Sequence, residues 1–536
     1  MNFSKQIFKY KAKRFEIFFY GHNAEVHDFF ARRKGSFGEN IKKIKSLIKA
    51  GQQKKIIINI PIIIQSQQKE SNLLAIESIL RLIIGFNIKR VQLTLTNSPA
   101  KPYTSIDSLA NYILSRILSK FSFNLLIKIK NIPLCLLKSI YGYPLKELIA
   151  KNEESSDNFI KLRQCQKCNY FKECPGILDS CLNGLDQKKI KPIIFPMEVA
   201  IEVEPRCNFD CQFCFNRNSF AKTGRDYKRL DIHYIKKIID KINENSIESV
   251  RFTGGEAMLR NDIFDLLKYA KSDGLNVKLN TNASLITNYK VAQEIARYTD
   301  FVLISMHTYD PLKDERITGF KSSFSKKIKA MIWLKEAGLK ILRVSTVATM
   351  DNILNLEKFY DLIKELKVDT WAVNRIIPTP GEKDNFSKEQ IFLLVEKLVK
   401  IRKNILENNI PLSVDILNAI PLCALEDPIK LSAVYAGAWP VDGHTRFTVD
   451  PRGFAKPIYY IDKNIGNPLE PLKCWNHPFM KALRTYKMVP KECLNCPFLE
   501  KCKGGNRFCA YNTYGFYDAP DPLMDFSNIR NLQLMT

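Results

Sequence analysis

The chain has 536 residues, 45% hydrophobic and 26% charged, enough for two or three globular domains. Its net charge of +27 is spread through the sequence without the basic, aromatic-interleaved motif of an RNA-binding module, so we expect no nucleic-acid partner. No apolar stretch reaches the ~18–20 residues of a membrane span, and the first twenty residues lack a signal-peptide core. We therefore expect a cytoplasmic protein, in which the fourteen cysteines stay reduced or bind metal.

All but one of the cysteines fall into three groups along the chain. The first group spaces its last four members as Cys-x2-Cys-x5-Cys-x6-Cys, and the third group repeats every interval. Each of these two groups begins with the tetrapeptide Ile-Pro-Leu-Cys. The first comprises Cys135, Cys165, Cys168, Cys174 and Cys181, and the third comprises Cys423, Cys493, Cys496, Cys502 and Cys509. Such regularity predicts two copies of one metal-binding module.

The middle group has a different spacing, Cys-x3-Cys-x2-Cys, formed by Cys207, Cys211 and Cys214. Three thiolates are one too few for the four irons of a cubane [4Fe–4S] cluster. A cluster with one uncoordinated iron can bind a substrate, as a catalytic zinc does at its open position. A structural zinc site is the alternative, but the nearest histidines, His233 and His307, are not at ligand spacing. We favour the cluster.

A β-rich stretch, Ser249–Thr253, runs directly into Gly254-Gly255-Glu256, about forty residues beyond these cysteines. With the cysteine motif, this combination closely resembles the radical S-adenosylmethionine (SAM) family. The resemblance implies that the free iron chelates SAM. It also implies that one electron cleaves the sulfonium into methionine and a 5′-deoxyadenosyl radical, which abstracts hydrogen from a substrate. It makes Gly254, Gly255 and Glu256 candidates for orienting SAM.

Short apolar strands alternate with amphipathic helical stretches on both sides of this turn, which predicts parallel βα units. One such helix has Asp231 as its expected N-cap. The six predicted strands are Met197–Val203, Val250–Thr253, Asn276–Thr281, Phe301–Ser305, Leu342–Val347 and Thr370–Arg375. The fold class is therefore α/β, with a partial (β/α)6 TIM-like barrel whose chemistry gathers at the C-terminal strand ends.

Polar and aromatic residues at those strand ends are candidates for SAM binding by resemblance to the family. The resemblance implies contacts with the SAM ribose, carboxylate and adenine. A purely local role is the alternative for each: asparagine in a turn, a loop histidine or a paired arginine. The candidates are Phe213, Asn280, Asn282, Ser305, His307, Arg375, Pro378 and Gly381.

The C-terminal cysteine group resembles the SPASM and twitch auxiliary-cluster domains that follow many radical SAM barrels. It departs from the SPASM pattern in its last interval, which is six residues and not three. We therefore expect one auxiliary [4Fe–4S] cluster per group, with zinc as the alternative and five candidate ligands for four positions. The extra cysteines are either Cys135 and Cys423 or Cys181 and Cys509. Cys474 stands alone and is expected to be a buried apolar residue.

Matches upstream of the first cysteine group extend the repeat. Phe15–His22 parallels Phe301–His307, and the 84 residues from Gly51 to Cys135 parallel the 85 from Gly338 to Cys423. The expected domains are therefore a half-barrel that duplicates barrel strands four to six (1–134), an N-terminal cysteine module (135–190), the SAM barrel (191–415) and a C-terminal cysteine module (416–536). The half-barrel lacks its own SAM motif, so we expect one SAM site.

The predicted activity is that of an oxygen-sensitive radical SAM oxidoreductase that oxidises or crosslinks a peptide or protein. Maturation of a small haem-type or quinone-type precursor is the main alternative, and RNA modification is a weaker one. A reduced ferredoxin-type or flavodoxin-type protein is the expected electron donor.

Overall fold

The computed structural model of the chain describes residues 14–64, 71–96, 104–138, 145–150, 158–182, 185–216, 229–379, 381, 386–438 and 443–533. The chain forms two compact units, one of Met1–Ile193 with Arg530–Thr536 and the other of Ile194–Ile529. Within the described ranges, no helix is long and apolar enough to cross a membrane.

The first unit is built on a parallel sheet of four strands in the order β1-β2-β3-β4. The strands are β1 (Phe15–Phe18), β2 (Ile56–Ile62), β3 (Arg90–Leu95) and β4 (Leu126–Lys130). The α-helices between them are Ala24–Ala31, Ser36–Lys49, Ile76–Gly85, Ile106–Tyr112 and Ser119–Phe121, with a π-helix at Ile113–Leu118. Isoleucine and leucine side chains fill the core between the sheet and these helices. A short antiparallel pair follows, β5 (Phe159–Ile160) and β6 (Ile177–Leu178).

The second unit contains a nine-stranded sheet in the order β13-β12-β11-β10-β9-β8-β7-β14-β15. All neighbouring strands are parallel except β14 and β15. The strands are β7 (Glu198–Glu204), β8 (Ser249–Gly254), β9 (Asn276–Thr281), β10 (Phe301–Ser305), β11 (Ile341–Val347), β12 (Thr370–Asn374), β13 (Ser413–Asp415), β14 (Arg446–Val449) and β15 (Ala455–Lys456). The six predicted strands are confirmed. The flanking strand β13 and the pairing of β14 with β7 were not predicted.

Helices connect these strands, as βα units require. Those between β7 and β13 are Ile232–Glu244, Ile263–Ser272, Tyr289–Tyr298, Pro311–Thr318, Ser323–Glu336, Met350–Leu354, Leu356–Glu365 and Lys388–Glu407. Those after β13 are Pro428–Val434, Pro471–Trp475, Pro478–Arg484, Leu499–Cys502, Arg507–Tyr514 and Phe526–Gln533. Asp231 caps the first of them, as predicted, because its carboxylate accepts from the backbone N–H groups of His233 and Tyr234.

A buried asparagine makes the same three hydrogen bonds in each unit. Asn72 Nδ2 donates to the carbonyls of Tyr20 (3.1 Å) and Pro61 (2.7 Å), and its Oδ1 accepts from Ile63 N (2.9 Å). In the second unit, Asn352 Nδ2 donates to the carbonyls of His307 (3.0 Å) and Val347 (2.7 Å), and its Oδ1 accepts from Thr349 N (2.9 Å). The bond set joins the ends of β1 and β2 in one unit and of β10 and β11 in the other.

A second asparagine is matched after the last strand of each four-strand set. Asn131 Nδ2 donates to the carbonyl of Leu95 (2.8 Å), and Asn418 Nδ2 donates to the carbonyl of Arg375 (2.7 Å). Ile-Pro-Leu-Cys follows directly after Asn131 and one residue after Asn418, and its cysteine lies in a one-turn 3-10 helix in both places. Strands β1–β4 therefore share with β10–β13 an order, a parallel sense and these side-chain bonds, which supports the proposed duplication.

Replacing either strand-joining asparagine is expected to destabilise its own unit. Asn72→Ala or Asn352→Ala leaves two buried carbonyls and one N–H without a partner, at a cost of about 1–3 kcal/mol in the free energy of unfolding. Denaturant-induced unfolding measures this loss. The exposed Asn124→Ala is the control and should change the free energy by less than about 0.5 kcal/mol. Equal stability of Asn352→Ala and the control would contradict the structural role.

Candidate active site

The loop that carries the three closely spaced cysteines follows β7 and is held by backbone hydrogen bonds. Asp210 N donates to the carbonyl of Thr318 (2.7 Å), and Gln212 N donates to that of Ile317 (3.2 Å). The loop is thereby fastened to the end of helix Pro311–Thr318. It sits at the C-terminal edge of the parallel sheet, where the chemistry of such folds is found.

The three thiols of this loop lie close enough to act on one another electrostatically. Burial, together with the nearby Cys214 thiol, raises the pKa of Cys207 to about 11 and that of Cys211 to about 12. Cys207 Sγ accepts weak hydrogen bonds from Phe209 N (3.4 Å) and Asn282 Nδ2 (3.8 Å). Since a metal ligand must be a thiolate, the free energy of metal binding has to offset this cost of deprotonation.

The arrangement fits an iron–sulfur cluster with an open iron. Each thiolate of a cubane binds a different iron. By sequence, residues 217–228 after the loop contain neither Cys nor His. The three cysteines would thus hold three irons, and the cluster would supply the electron that cleaves SAM.

The two glycines that end β8 lie against the backbone of the cysteine loop. A Cβ atom on Gly254 would come within 2.2 Å of the carbonyl oxygen of Glu204, and one on Gly255 within 2.3 Å of that of Arg206. Gly254 also has a φ of +147°, a conformation that side chains rarely adopt. Gly255 N donates to the Glu204 carbonyl at 2.8 Å. These glycines therefore position the cysteine loop, in addition to the role predicted for them in orienting SAM.

The Glu256 carboxylate is buried and bonded within the chain. Its oxygens accept from Met258 N (2.9 Å), Thr281 Oγ1 (2.7 Å) and Asn282 N (2.6 Å). Burial raises the pKa of this carboxyl, against the lowering effect of the three donors. The side chain joins the ends of β8 and β9, so Glu256 acts on the SAM region by fixing the backbone there.

The two predicted asparagines at the end of β9 have different surroundings. Asn282 Nδ2 donates to Asn208 Oδ1 (2.8 Å) beside Cys207, so this side chain belongs to the cysteine loop. Asn280 Oδ1 instead accepts from Arg251 Nη1 (2.8 Å). Asn280 therefore joins the charged interior of the sheet, and its predicted contact with SAM stays a prediction.

That charged interior centres on Glu198, which is fully buried on β7. It accepts hydrogen bonds from Arg251 (2.7 Å), Lys278 (2.7 Å) and Arg446 (2.9 Å). Burial acts to raise the pKa of Glu198, but the three cations outweigh it and hold the pKa well below its usual range. Arg446 comes from β14, so this cluster ties the C-terminal region to the barrel strands.

Phe213 and His307 form one contact next to the cysteine loop. Their ring centroids are 4.7 Å apart in an edge-to-face arrangement. Burial, and then the charge of Lys327, lower the pKa of His307 to about 3, so its imidazole is neutral near pH 7. Its Nδ1 accepts from Val347 N (3.2 Å), which leaves the proton on Nε2. Ser305 pairs with Ser345 across β10 and β11.

The three predicted residues after β12 face the C-terminal region. Arg375 is buried in an ion pair with Asp521, with 2.9 Å between Nη1 and Oδ2. Pro378 is buried, and Gly381 N donates to Asn512 Oδ1 (2.8 Å). The ion pair does not favour the predicted contact of Arg375 with SAM, which stays a prediction, as do those of Pro378 and Gly381.

Lys327 is a site residue that sequence reasoning missed. It is buried in an ion pair with Asp314 (2.8 Å), lies over the ring of Phe209 and acts electrostatically on Cys211. Burial lowers its pKa, against the effect of Asp314. The signal was present: with Ser323, Met331 and Leu334, Lys327 occupies the buried face of helix Ser323–Glu336.

Thiols of the two larger cysteine groups lie near one another. In the C-terminal group the thiols of Cys423, Cys493, Cys496 and Cys502 act on one another electrostatically. In the N-terminal group Cys135, Cys165, Cys168 and Cys174 line one cavity. Cys181 is buried in the hydrophobic core, and Cys509, its counterpart, is buried in helix Arg507–Tyr514. Which four cysteines of each group bind metal stays a prediction.

Cys474 is buried as predicted, and its Sγ lies 3.1 Å from the carbonyl of Asn467.

Residues 201–366 match the radical SAM superfamily. The parallel sheet, the three-cysteine loop and the glycine turn define a radical SAM domain. The chain carries a radical SAM domain, and it is an enzyme of this class with a SPASM/twitch-like cysteine module after the barrel. The cofactors of the family are SAM and a [4Fe–4S] cluster.

Curated relatives match a large part of the chain at low identity. The PqqA peptide cyclase of Bradyrhizobium diazoefficiens is 25% identical over 61% of this chain and 85% of its own length. The mycofactocin maturase MftC of Mycolicibacterium smegmatis is 26% identical over 65% of this chain and 85% of its own length. The AdoMet-dependent heme synthase of Nitratidesulfovibrio vulgaris is 22% identical over 61% of this chain and 92% of its own length.

Solved structures share the fold. SuiB of Streptococcus suis bound to S-adenosylmethionine has a TM-score of 0.51 and 20% identity, over 62% of this chain and 77% of its own. Native anSMEcpe with bound AdoMet has a TM-score of 0.51 and 17% identity, over 63% of this chain and 95% of its own.

Gly255→Ala is expected to displace the cysteine loop, because the new methyl group would overlap the Arg206 carbonyl. The protein should lose about four irons and four sulfides per chain, together with SAM cleavage. Iron and sulfide analysis of anaerobic protein measures the loss. Gly38→Ala is the control, since a Cβ there meets nothing within 4 Å. Full iron content in Gly255→Ala would contradict this account of the turn.

Lys327→Met is expected to lower the reduction potential of the catalytic cluster. Removing a buried positive charge, with Asp314 left unpaired, disfavours the more negative reduced cluster. A shift on the order of 50 mV corresponds to about a tenfold change in the one-electron equilibrium. Redox titration followed by electron paramagnetic resonance measures it. Lys329→Met, exposed on the same helix, is the control. An unchanged or raised potential in Lys327→Met would contradict the prediction.

Proposed function

We propose that this enzyme cleaves SAM reductively and uses the 5′-deoxyadenosyl radical to abstract hydrogen from a peptide or protein, which is then oxidised or crosslinked. The observation that carries the radical chemistry is the loop of three mutually close thiols with no fourth Cys or His in the residues that follow it. Three protein ligands leave one iron of a cubane for SAM.

The residues around the loop are suited to hold SAM in a dry site. Phe213 and the neutral His307 present an apolar surface beside the cysteines. The ends of β8 and β9 are fixed by Glu256, so backbone groups there are held in place for a polar ligand. A buried, preorganised site also protects a reactive radical from water.

The peptide substrate is inferred from relatives. The PqqA peptide cyclase and the mycofactocin maturase both match across 85% of their own length, which includes more than the SAM domain alone. A second candidate is maturation of a haem-type precursor, favoured by the heme synthase that matches over 92% of its length. The charged cluster around Glu198 favours neither the peptide substrate nor the haem-type precursor.

Two further assignments accompany this proposal. The electron donor is a reduced ferredoxin-type or flavodoxin-type protein, because SAM cleavage consumes one electron that the chain must receive from outside. The compartment is the cytoplasm, where reducing conditions keep fourteen cysteines free of disulfides; the structure has all of them as free thiols.

SAM cleavage is tested with anaerobically reconstituted full-length protein and dithionite. We expect 5′-deoxyadenosine and methionine in equal amounts, and Cys211→Ala should abolish both because two thiolates cannot hold the cluster in place. Cys474→Ala, which removes a buried cysteine outside the groups, is the matched control and should keep the activity. Cleavage that survives Cys211→Ala would refute the assignment of the catalytic cluster.

The substrate is tested with synthetic short peptides encoded beside the gene, with a haem-type precursor as the competing probe. A peptide oxidised or crosslinked by this chemistry loses a pair of hydrogens, which mass spectrometry detects. Perdeuterated peptide should transfer deuterium into 5′-deoxyadenosine. Deuterium-free deoxyadenosine with every peptide, together with consumption of the haem precursor, would replace the peptide proposal by the second candidate.

A further inference from the structure

The N-terminal unit contains a four-thiol site of its own. Cys135, Cys165, Cys168 and Cys174 line one cavity, although residues 136–164 separate Cys135 from the next cysteine. The same unit holds the four-strand parallel sheet β1–β4. This unit lies outside the residues that match the radical SAM superfamily, which begin at residue 201.

Local backbone structure presents these thiols to one cavity. Cys135 lies in the one-turn helix Leu134–Leu136 and Cys165 in Arg163–Lys167. Cys168 Sγ accepts a hydrogen bond from Ile193 N (3.4 Å). The cavity, about 430 Å³ including its mouth, is lined by all four cysteines together with apolar residues such as Ile177 and Ile193.

The fifth cysteine of the group takes no part in this site. Cys181 is 3% exposed in the hydrophobic core and is not among the residues that line the cavity. The other four cysteines of the group all line it. The cavity is therefore a site of four sulfurs, and Cys423, Cys493, Cys496 and Cys502 occupy the matching positions of the second cysteine group.

Two lysine side chains, Lys161 and Lys191, are among the residues that line the cavity. Lys161 also donates to the carbonyl of Phe171 and lies over its ring. A cubane with four thiolate ligands carries net negative charge, which nearby cations stabilise.

Zinc and a cubane place different demands on the thiols. A tetrahedral zinc draws four sulfurs to about 2.3 Å from one point, whereas each thiolate of a cubane binds a different iron. The four cysteines line one cavity, which we assign to a cubane, and zinc is the competing outcome of the metal analysis below.

We propose that Cys135, Cys165, Cys168 and Cys174 bind a [4Fe–4S] cluster in the N-terminal unit. With four protein thiolates this cluster has no iron free for a ligand, so it transfers electrons and does not bind SAM or substrate. The proposal concerns a site separate from the SAM site and does not depend on the substrate assigned to that site.

Full-length protein purified anaerobically should contain about twelve irons and twelve sulfides per chain, corresponding to three cubanes. Cys168→Ser should remove about four of each, with no zinc in their place. Cys181→Ser is the matched control, since it changes a cysteine of the same group outside the cavity, and it should keep the full iron content. Iron content unchanged by Cys168→Ser, or loss of one zinc in place of iron, would overturn the proposal.

A second measurement on the unaltered chain guards against a variant that fails to fold. Native mass spectrometry counts clusters as increments of four irons and four sulfides. Three increments, with SAM cleavage present or absent, support the N-terminal cluster. Two clusters together with one bound zinc would overturn the proposal. So would two clusters without zinc, if these two occupy the catalytic site and the C-terminal site.

Discussion

The close contact between the cysteine loop and the glycine turn is the constraint on which the candidate site depends. The carbonyl oxygens of Glu204 and Arg206 occupy the space that a Cβ on Gly254 or Gly255 would need. The loop can therefore run across the end of β8 only because two residues there lack side chains. Glu256 then fixes the same strand end to β9. Three thiols are placed at the sheet edge by backbone packing, before any metal contributes.

The electrostatics of the loop follow from the same packing. Burial raises the pKa of Cys207 and Cys211, and it lowers those of His307 and Lys327. In such a low-dielectric region, the electrostatic interaction between a remaining charge and its neighbours is stronger than in water. The Lys327–Asp314 pair is thus well placed to set the potential of a cluster bound nearby, while neutral His307 adds no competing charge. Structure and electrostatics together describe a site that needs a metal to stabilise its thiolates.

Much of this arrangement was predictable because its signals are local in sequence. The cysteine spacing, the strand before Gly254 and the Asp231 cap each depend on residues a few positions apart. The pairing of β14 with β7 was missed since β7 lies more than two hundred residues earlier, and no short pattern records such a pairing. The choice of four ligands in each cysteine group was likewise open, because burial of a side chain such as Cys181 in the core is a property of packing.

The matched asparagines explain how one cysteine module can be built twice in different surroundings. Asn131 and Asn418 each bond the carbonyl at the end of the neighbouring strand, which fixes the direction in which the chain leaves the sheet. The following Ile-Pro-Leu-Cys turn then brings Cys135 or Cys423 to a set place relative to that strand. The first ligand of each four-thiol site is therefore positioned by the sheet, and the other three by a compact loop. Nothing in this construction requires β7, β8 or the SAM loop, so the half-barrel can carry a metal site without carrying the radical chemistry.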